Sequence, residues 1–133
     1  MSPTTKTARD RTDASRWPAS KIEMWQIADL IPYARNARTH PQEQVDQIAA
    51  SMSRFGFTMP MLVAEDGTII AGHGRLMAAS QTGMAEVPVM IARGWSDEDR
   101  RIYTLADNRL AETSEWDPDT LQVEWDELYA MGL

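Results

Sequence analysis

Two glycines bracket a histidine where an apolar strand turns into a helix, in the run Thr68-Ile69-Ile70-Ala71-Gly72-His73-Gly74-Arg75-Leu76-Met77-Ala78-Ala79. Glycine permits positive φ or close backbone approach to a ligand. A helix N-terminus presents N–H groups without partners and a field that favours anions. Arg75 adds a planar, permanently charged fork suited to phosphate or carboxylate. The residues fit a phosphate site, and they equally fit a tight strand-to-helix turn.

The flanking residues build outward from this junction. Met61–Ala64 and Thr68–Ala71 are apolar runs around Glu65-Asp66-Gly67, and an Asp-Gly pair in that setting predicts a hairpin. The helix after the junction extends to about Gln81 and closes near Gly83. Upstream, Val45, Ile48, Ala49, Met52 and Phe55 recur at helical spacing from Pro41 to Phe55, and Gly56 ends that helix. Downstream, Val87–Ala92 predicts a strand whose Pro88 implies an edge position or a strand entry. Ile22–Ile27 alternates as a strand with both faces partly covered. Ala28–Leu30 reads as a short turn, after which Pro32 stops regular structure.

Ser96 with Asp99 forms a capping-box pattern, and the acidic run 97–99 suits a helix start. Ile102, Leu105, Ala106 and Leu110 mark the expected buried stripe of that helix. Asp117-Pro118 opens a last helix with Leu121, Trp125 and Leu128 on one side, ending near Gly132. Trp116 and Trp125 are expected to pack rather than to stack on bases. The order strand, helix, hairpin, helix, strand, helix, helix predicts a compact α+β domain with a mixed sheet and a helical C-terminal end.

At 133 residues the chain suits one domain. With no cysteine it makes no disulfide, thiolate metal site or cysteine nucleophile, and two histidines make a histidine-rich zinc site improbable. No apolar run reaches membrane-spanning length, and the leading residues lack a signal-peptide apolar region, so a cytoplasmic protein away from membranes is expected. Net charge is −7 and unevenly spread. Residues 1–21 hold five basic groups against two acids, whereas residues 96–133 hold three arginines against eleven acids. An acidic body argues against a broad non-specific nucleic-acid surface. Residues 1–20 are expected to form a disordered basic tail.

The loop Tyr33–His40 concentrates Arg35, Asn36, Arg38, Thr39 and His40. It can serve a site or simply cap the next helix. His73 is a candidate acid, base or phosphate donor. Asp107-Asn108 supplies a carboxylate and an amide oxygen on a helix.

The strand–Gly-x-x-Arg–helix unit, the Asn/Arg loop before it and the Asp-Asn some thirty residues later resemble the ParB N-terminal-domain superfamily, over about residues 21–115. That superfamily also contains sulfiredoxin and small nucleotide-using kinases. The ParB box reads Gly-Glu-Arg-Arg, and the sulfiredoxin box reads Gly-Cys-His-Arg. Here it is Gly72-His73-Gly74-Arg75. The resemblance implies nucleotide or phosphate binding by Gly72, His73, Gly74 and Arg75, with Asn36 and Arg38 from the loop. It also implies Mg²⁺ at Asp107 and Asn108, brought with CTP, ATP or ADP. It implies homodimerisation as well. The chain is similar, more closely, to the ParB-like region, often named a nuclease domain, that precedes phage and prophage DNA modification methylases. Residues 116–133 would then lead toward a further domain, and a methyltransferase domain or protein is the expected partner. The chain itself has no Asp-Pro-Pro-Tyr motif and is not a methyltransferase by itself.

The departures narrow the chemistry. His73 in place of cysteine excludes sulfiredoxin chemistry, Gly74 removes one arginine of the ParB box, and no helix-turn-helix follows. Two function classes stay open. One is a ParB-like domain that binds a nucleotide or DNA phosphate in a modification or segregation system. The other is a metal-dependent nuclease or nucleotide hydrolase with His73 as its catalytic residue. A module without pocket chemistry is a weaker third.

Overall fold

The computed structural model describes residues 16–34 and 39–132. Among these, four strands form one sheet: β1 (Ile22–Gln26), β2 (Met61–Ala64), β3 (Ile69–Ala71) and β4 (Glu86–Ala92). Four α-helices accompany them: α1 (Gln42–Phe55), α2 (His73–Gln81), α3 (Asp97–Thr113) and α4 (Pro118–Ala130). A 3-10 turn, Ile27–Asp29, follows β1. The predicted α+β order is therefore the observed one. No described helix is long and apolar enough to cross a membrane.

The sheet order is β1-β4-β2-β3. β1 pairs antiparallel with β4, β4 parallel with β2, and β2 antiparallel with β3. Because β3 enters α2 at once, the helix returns the chain across the sheet to β4. The hairpin turn closes through Gly67 N–H donating to Ala64 O (2.9 Å), Ala64 N–H to Thr68 O (2.8 Å) and Thr68 N–H to Asp66 Oδ1 (2.9 Å).

Met61, Val63, Val87 and Val89 point to one face, where α1 and α2 cover them with Val45, Ala49, Met52, Ala78 and Ala79. Each large side chain buried there stabilises the fold by roughly 1.5–3 kcal/mol. Gln42, Asp46 and Gln81 join the two helices: Gln42 Nε2 donates to Asp46 Oδ1 and to Gln81 Oε1 (2.8 Å each), and Gln81 Nε2 donates to Asp46 Oδ1 (2.9 Å). The opposite face carries a smaller cluster of Ala64, Ile70 and Ala92 with Leu62 and Trp95. Trp95 meets the Tyr103 ring of α3 at 5.0 Å.

Several packing expectations are corrected. Pro88 is not on an edge, since β4 lies between β1 and β2. It is a strand entry instead: β2 pairs with β4 only from Val89 onward, so Pro88 precedes that ladder. On β1, Ile22 and Met24 are exposed, so one face is open rather than partly covered. Phe55 is exposed too, with the Arg54 guanidinium 5.1 Å above its ring. Residues Ile102 (57% exposed), Leu105 and Leu110 do not form a buried stripe. Helix α3 meets the sheet mainly at β3, and among its described side chains Thr104 is the buried one. Helix α4 buries no residue, Trp116 is exposed, and Trp125 stacks on Tyr129 of its own helix, at 5.9 Å. Residues 1–15 of the expected tail lie outside the described residues. Further along, Pro18 O accepts the Arg93 N–H at 3.1 Å.

Candidate phosphate-binding pocket

The strand-to-helix junction opens into a cavity of about 220 Å³. Gly72, His73, Gly74 and Arg75 line one side, and Thr104, Asp107 and Asn108 of α3 line another. His40, Gln44 and Ile48 close it from the start of α1. Two of the predicted pieces, the glycine box and Asp107-Asn108, thus meet at one cavity. Asn36 and Arg38 lie outside the described residues.

Gly72 makes the turn possible. Its φ is +110°, and a Cβ there would lie 2.9 Å from Met61 Cγ. The first helical bond runs from Leu76 N–H to Gly72 O at 2.9 Å. The N–H groups of His73, Gly74 and Arg75 therefore have no acceptor within the helix. Gly74 is helical and buried, and its missing side chain makes room for the His40 ring.

Tyr33 orients His73. Ile31 bridges Thr68 in parallel, with Ile31 N–H donating to Gly67 O and Ile69 N–H to Ile31 O, both at 2.9 Å. That strut delivers the Tyr33 N–H to His73 Nε2 at 3.2 Å. A backbone N–H can only donate, so Nε2 is the acceptor and the neutral ring carries its proton on Nδ1. Burial, and secondarily the positive field of His40, hold His73 below the usual imidazole range. The unfolded ring titrates at about pH 6.5 and binds its proton first on acidification. Stability is therefore fully present above about pH 6.5 and is lost as pH falls through the lower folded value. Urea midpoints of wild type should drop from about pH 7 to about pH 5, and His73→Gln should drop less over that range. Equal slopes would contradict a buried neutral ring.

Arg75 Nη1 donates to Pro60 O at 3.3 Å, and no carboxylate among the described residues pairs with it. Thr104 Oγ1 donates to Ile70 O at 3.3 Å or to Arg100 O at 2.9 Å, which fixes α3 against β3. Arg100 reinforces that contact by reaching Asp66 at 3.6 Å and Asp97 at 3.8 Å. Asp107 is exposed and interacts with the Tyr103 hydroxyl, whose pKa is raised by partial burial first and then by the Asp107 charge and hydrogen bond. Among the described residues no three His, Cys, Asp or Glu side chains gather to hold a metal. Asp107 and Asn108 bring a carboxylate and an amide, both carrying hard oxygen donors, to the cavity wall.

The profile of the ParB N-terminal domain matches residues 11–109. The chain belongs to the ParB N-terminal domain family. Among curated relatives, the ParB-like nuclease domain-containing protein YnaK of Escherichia coli (strain K12) is 49% identical over 81 residues, 61% of this chain and 93% of its own. The probable chromosome 2-partitioning protein ParB of Deinococcus radiodurans is 38% identical over 74 residues, 53% of this chain and 25% of that protein. Among solved structures, truncated ParB of Caulobacter crescentus complexed with CTP-γ-S superposes with a TM-score of 0.64 at 22% identity, over 74% of this chain and 57% of that one. Sulfiredoxin of Arabidopsis thaliana gives 0.53 at 22% identity, over 62% of this chain and 96% of its own. This ParB N-terminal domain therefore spans little more than half of the Caulobacter chain and a quarter of the Deinococcus protein.

Two wall residues, Thr104 and Gln44, went unmarked in the sequence, and His40 was marked only as one residue of the polar loop. Thr104 stands three and four positions before Asp107 and Asn108, a helical spacing that places all three on one face. His40 and Gln44 share the same four-residue spacing. The His40 ring faces Gly74, over thirty positions further along the chain, and nothing local announces that contact.

Proposed function

We propose that this ParB N-terminal domain binds a nucleoside triphosphate at the Gly72–Arg75 junction and acts in DNA segregation or modification. The observation that carries the reading is the convergence on one cavity of the α2 N-terminus, an arginine with no carboxylate partner among the described residues, and Asp107 with Asn108. The backbone N–H groups of α2 and the Arg75 fork would take phosphate oxygens, and His73 would add its Nδ1–H. Asp107 and Asn108 would hold the Mg²⁺ that the phosphates carry, an ion that neutralises their charge. Asn36 and Arg38 would complete the site from the preceding loop. The CTP-γ-S complex of the Caulobacter ParB supports a nucleotide rather than a lone phosphate. DNA phosphate is the second anion the site suits, given that a ParB of this fold is known complexed to its centromeric parS site. A second copy of the chain and a methyltransferase are the protein partners proposed. The exposed apolar residues of α3 and α4 support the first.

Binding is preferred to hydrolysis because the Nε2 lone pair of His73 is already occupied by Tyr33. A general base needs a free acceptor within reach of the proton it removes. Isothermal titration with CTP, ATP and ADP in the presence of Mg²⁺ tests the reading, and at least one of them should bind. Binding of none would end the nucleotide reading. Phosphate release or plasmid nicking that His73→Ala abolishes would turn the domain into a hydrolase.

A further inference from the structure

We propose that His40 is the phosphate-side cation of this pocket, taking up a proton on Nε2 when a nucleotide binds. The inference rests on the nucleotide reading above and adds a residue and a proton to it. Its basis is a packing detail. Gly74 sits buried in the first turn of α2, and a Cβ on it would lie 3.1 Å from His40 Nδ1 and 3.2 Å from Cε1. The imidazole therefore rests on the helix N-terminus itself, in space that a side chain at position 74 would crowd. Ile48 Cδ1, also 3.1 Å from that Cβ, backs the same contact. Position 74 carries no side chain, and the His40 ring, just ahead of α1, stands beside it.

The hydrogen bonding decides which nitrogen is available. His40 Nδ1 lies 2.8 Å from Gln44 Oε1. An amide oxygen only accepts, so Nδ1 donates and Nε2 is left as the polar atom of the ring. In a neutral ring Nε2 bears a lone pair, and a phosphate oxygen meeting it would place acceptor against acceptor. Binding therefore draws a proton from solvent onto Nε2 and forms an N–H···O–P bond, with no covalent change. His73 differs: its Nε2 is satisfied by Tyr33, so its Nδ1 already donates without a proton being added. Among the described residues, the other charged and titratable groups lining the cavity are His73 and Arg75 on α2 and Asp107 on α3. Arg75 opposes a protonated His40 before a ligand binds, Asp107 favours it, and the neutral His73 ring adds no charge. The arriving phosphate charge tips the balance.

The test is calorimetric titration of the full chain with Mg²⁺-CTP and with inorganic tripolyphosphate, in buffers of different ionisation enthalpy and across about pH 6–8. Wild type should take up more protons per bound ligand than His40→Gln. Its affinity should fall about tenfold more than that of the variant between about pH 7 and pH 8. His73→Gln should weaken binding yet keep the wild-type proton uptake. Should His40→Gln not fold, Gln44→Glu gives a second reading. A carboxylate facing Nδ1 keeps the ring charged, so the affinity of that variant should change less with pH than that of wild type. Equal proton uptake and equal pH slopes in wild type and His40→Gln, or an unaltered slope in Gln44→Glu, overturn the proposal while leaving nucleotide binding in place. If wild type binds neither probe, the nucleotide reading falls and this proposal with it.

Discussion

Gly72→Ala is expected to destabilise the domain by about 3 kcal/mol. Two costs combine. The backbone at Gly72 has φ +110°, which an L side chain enters only with strain of about 1–2 kcal/mol. The added methyl would also press on Met61, at 2.9 Å from Cγ, 3.2 Å from Cβ and 3.4 Å from Cα. Met61 is fully buried beneath α1 and α2, so it cannot swing aside without disturbing the main core, and overpacking of this kind costs about 1–3 kcal/mol. Gly83 separates the two costs. It also has positive φ, +83°, but nothing lies within 4 Å of where its Cβ would be. Gly83→Ala should therefore show only the strain, about 1–2 kcal/mol. Urea denaturation of the two variants measures the difference. If they lose equal stability, Met61 yields freely and the junction is looser than its contacts imply. Gly72→Ala should also shift the first turn of α2, the part of the helix that faces the cavity.

The sequence made the local devices legible because each acts over a few residues. The Asp66-Gly67 turn, the Ser96 cap that accepts from Asp99 N–H at 3.0 Å, and the Asp117 cap all form where their residue types require. The glycine box and Asp107-Asn108 could be paired through a family resemblance, and both line the cavity. Burial on α3 and α4 was not legible. Periodicity marks an apolar face without saying what covers it, and the short β3 supports only the first part of α3. The same limit hid β1, whose alternation is real while one face stays open. It also hid His40, which reads as one polar residue in a polar loop until the fold sets it against Gly74.

Arg75→Ala should weaken nucleotide binding by about 2 kcal/mol, roughly thirtyfold, and leave the fold almost unchanged. The asymmetry follows from its partners. Within the protein the guanidinium makes a long hydrogen bond to Pro60 O, at 3.3 Å, and it pairs with no carboxylate among the described residues. Losing that bond should cost under about 1 kcal/mol of stability. A charge-assisted pair of bonds to phosphate is worth more, and the cavity lies beside the residue. Arg75→Lys should fall between the two proteins, because it keeps the charge and loses the fork. Calorimetric titration with Mg²⁺-CTP, run beside urea denaturation, reads both quantities. The opposite pattern, lost stability with unchanged affinity, would make Arg75 a strut for the segment before β2. The anion site would then have to be sought in the α2 backbone, the two histidines and the Asn36/Arg38 loop, which would have to hold a triphosphate without a permanent cation from the glycine box.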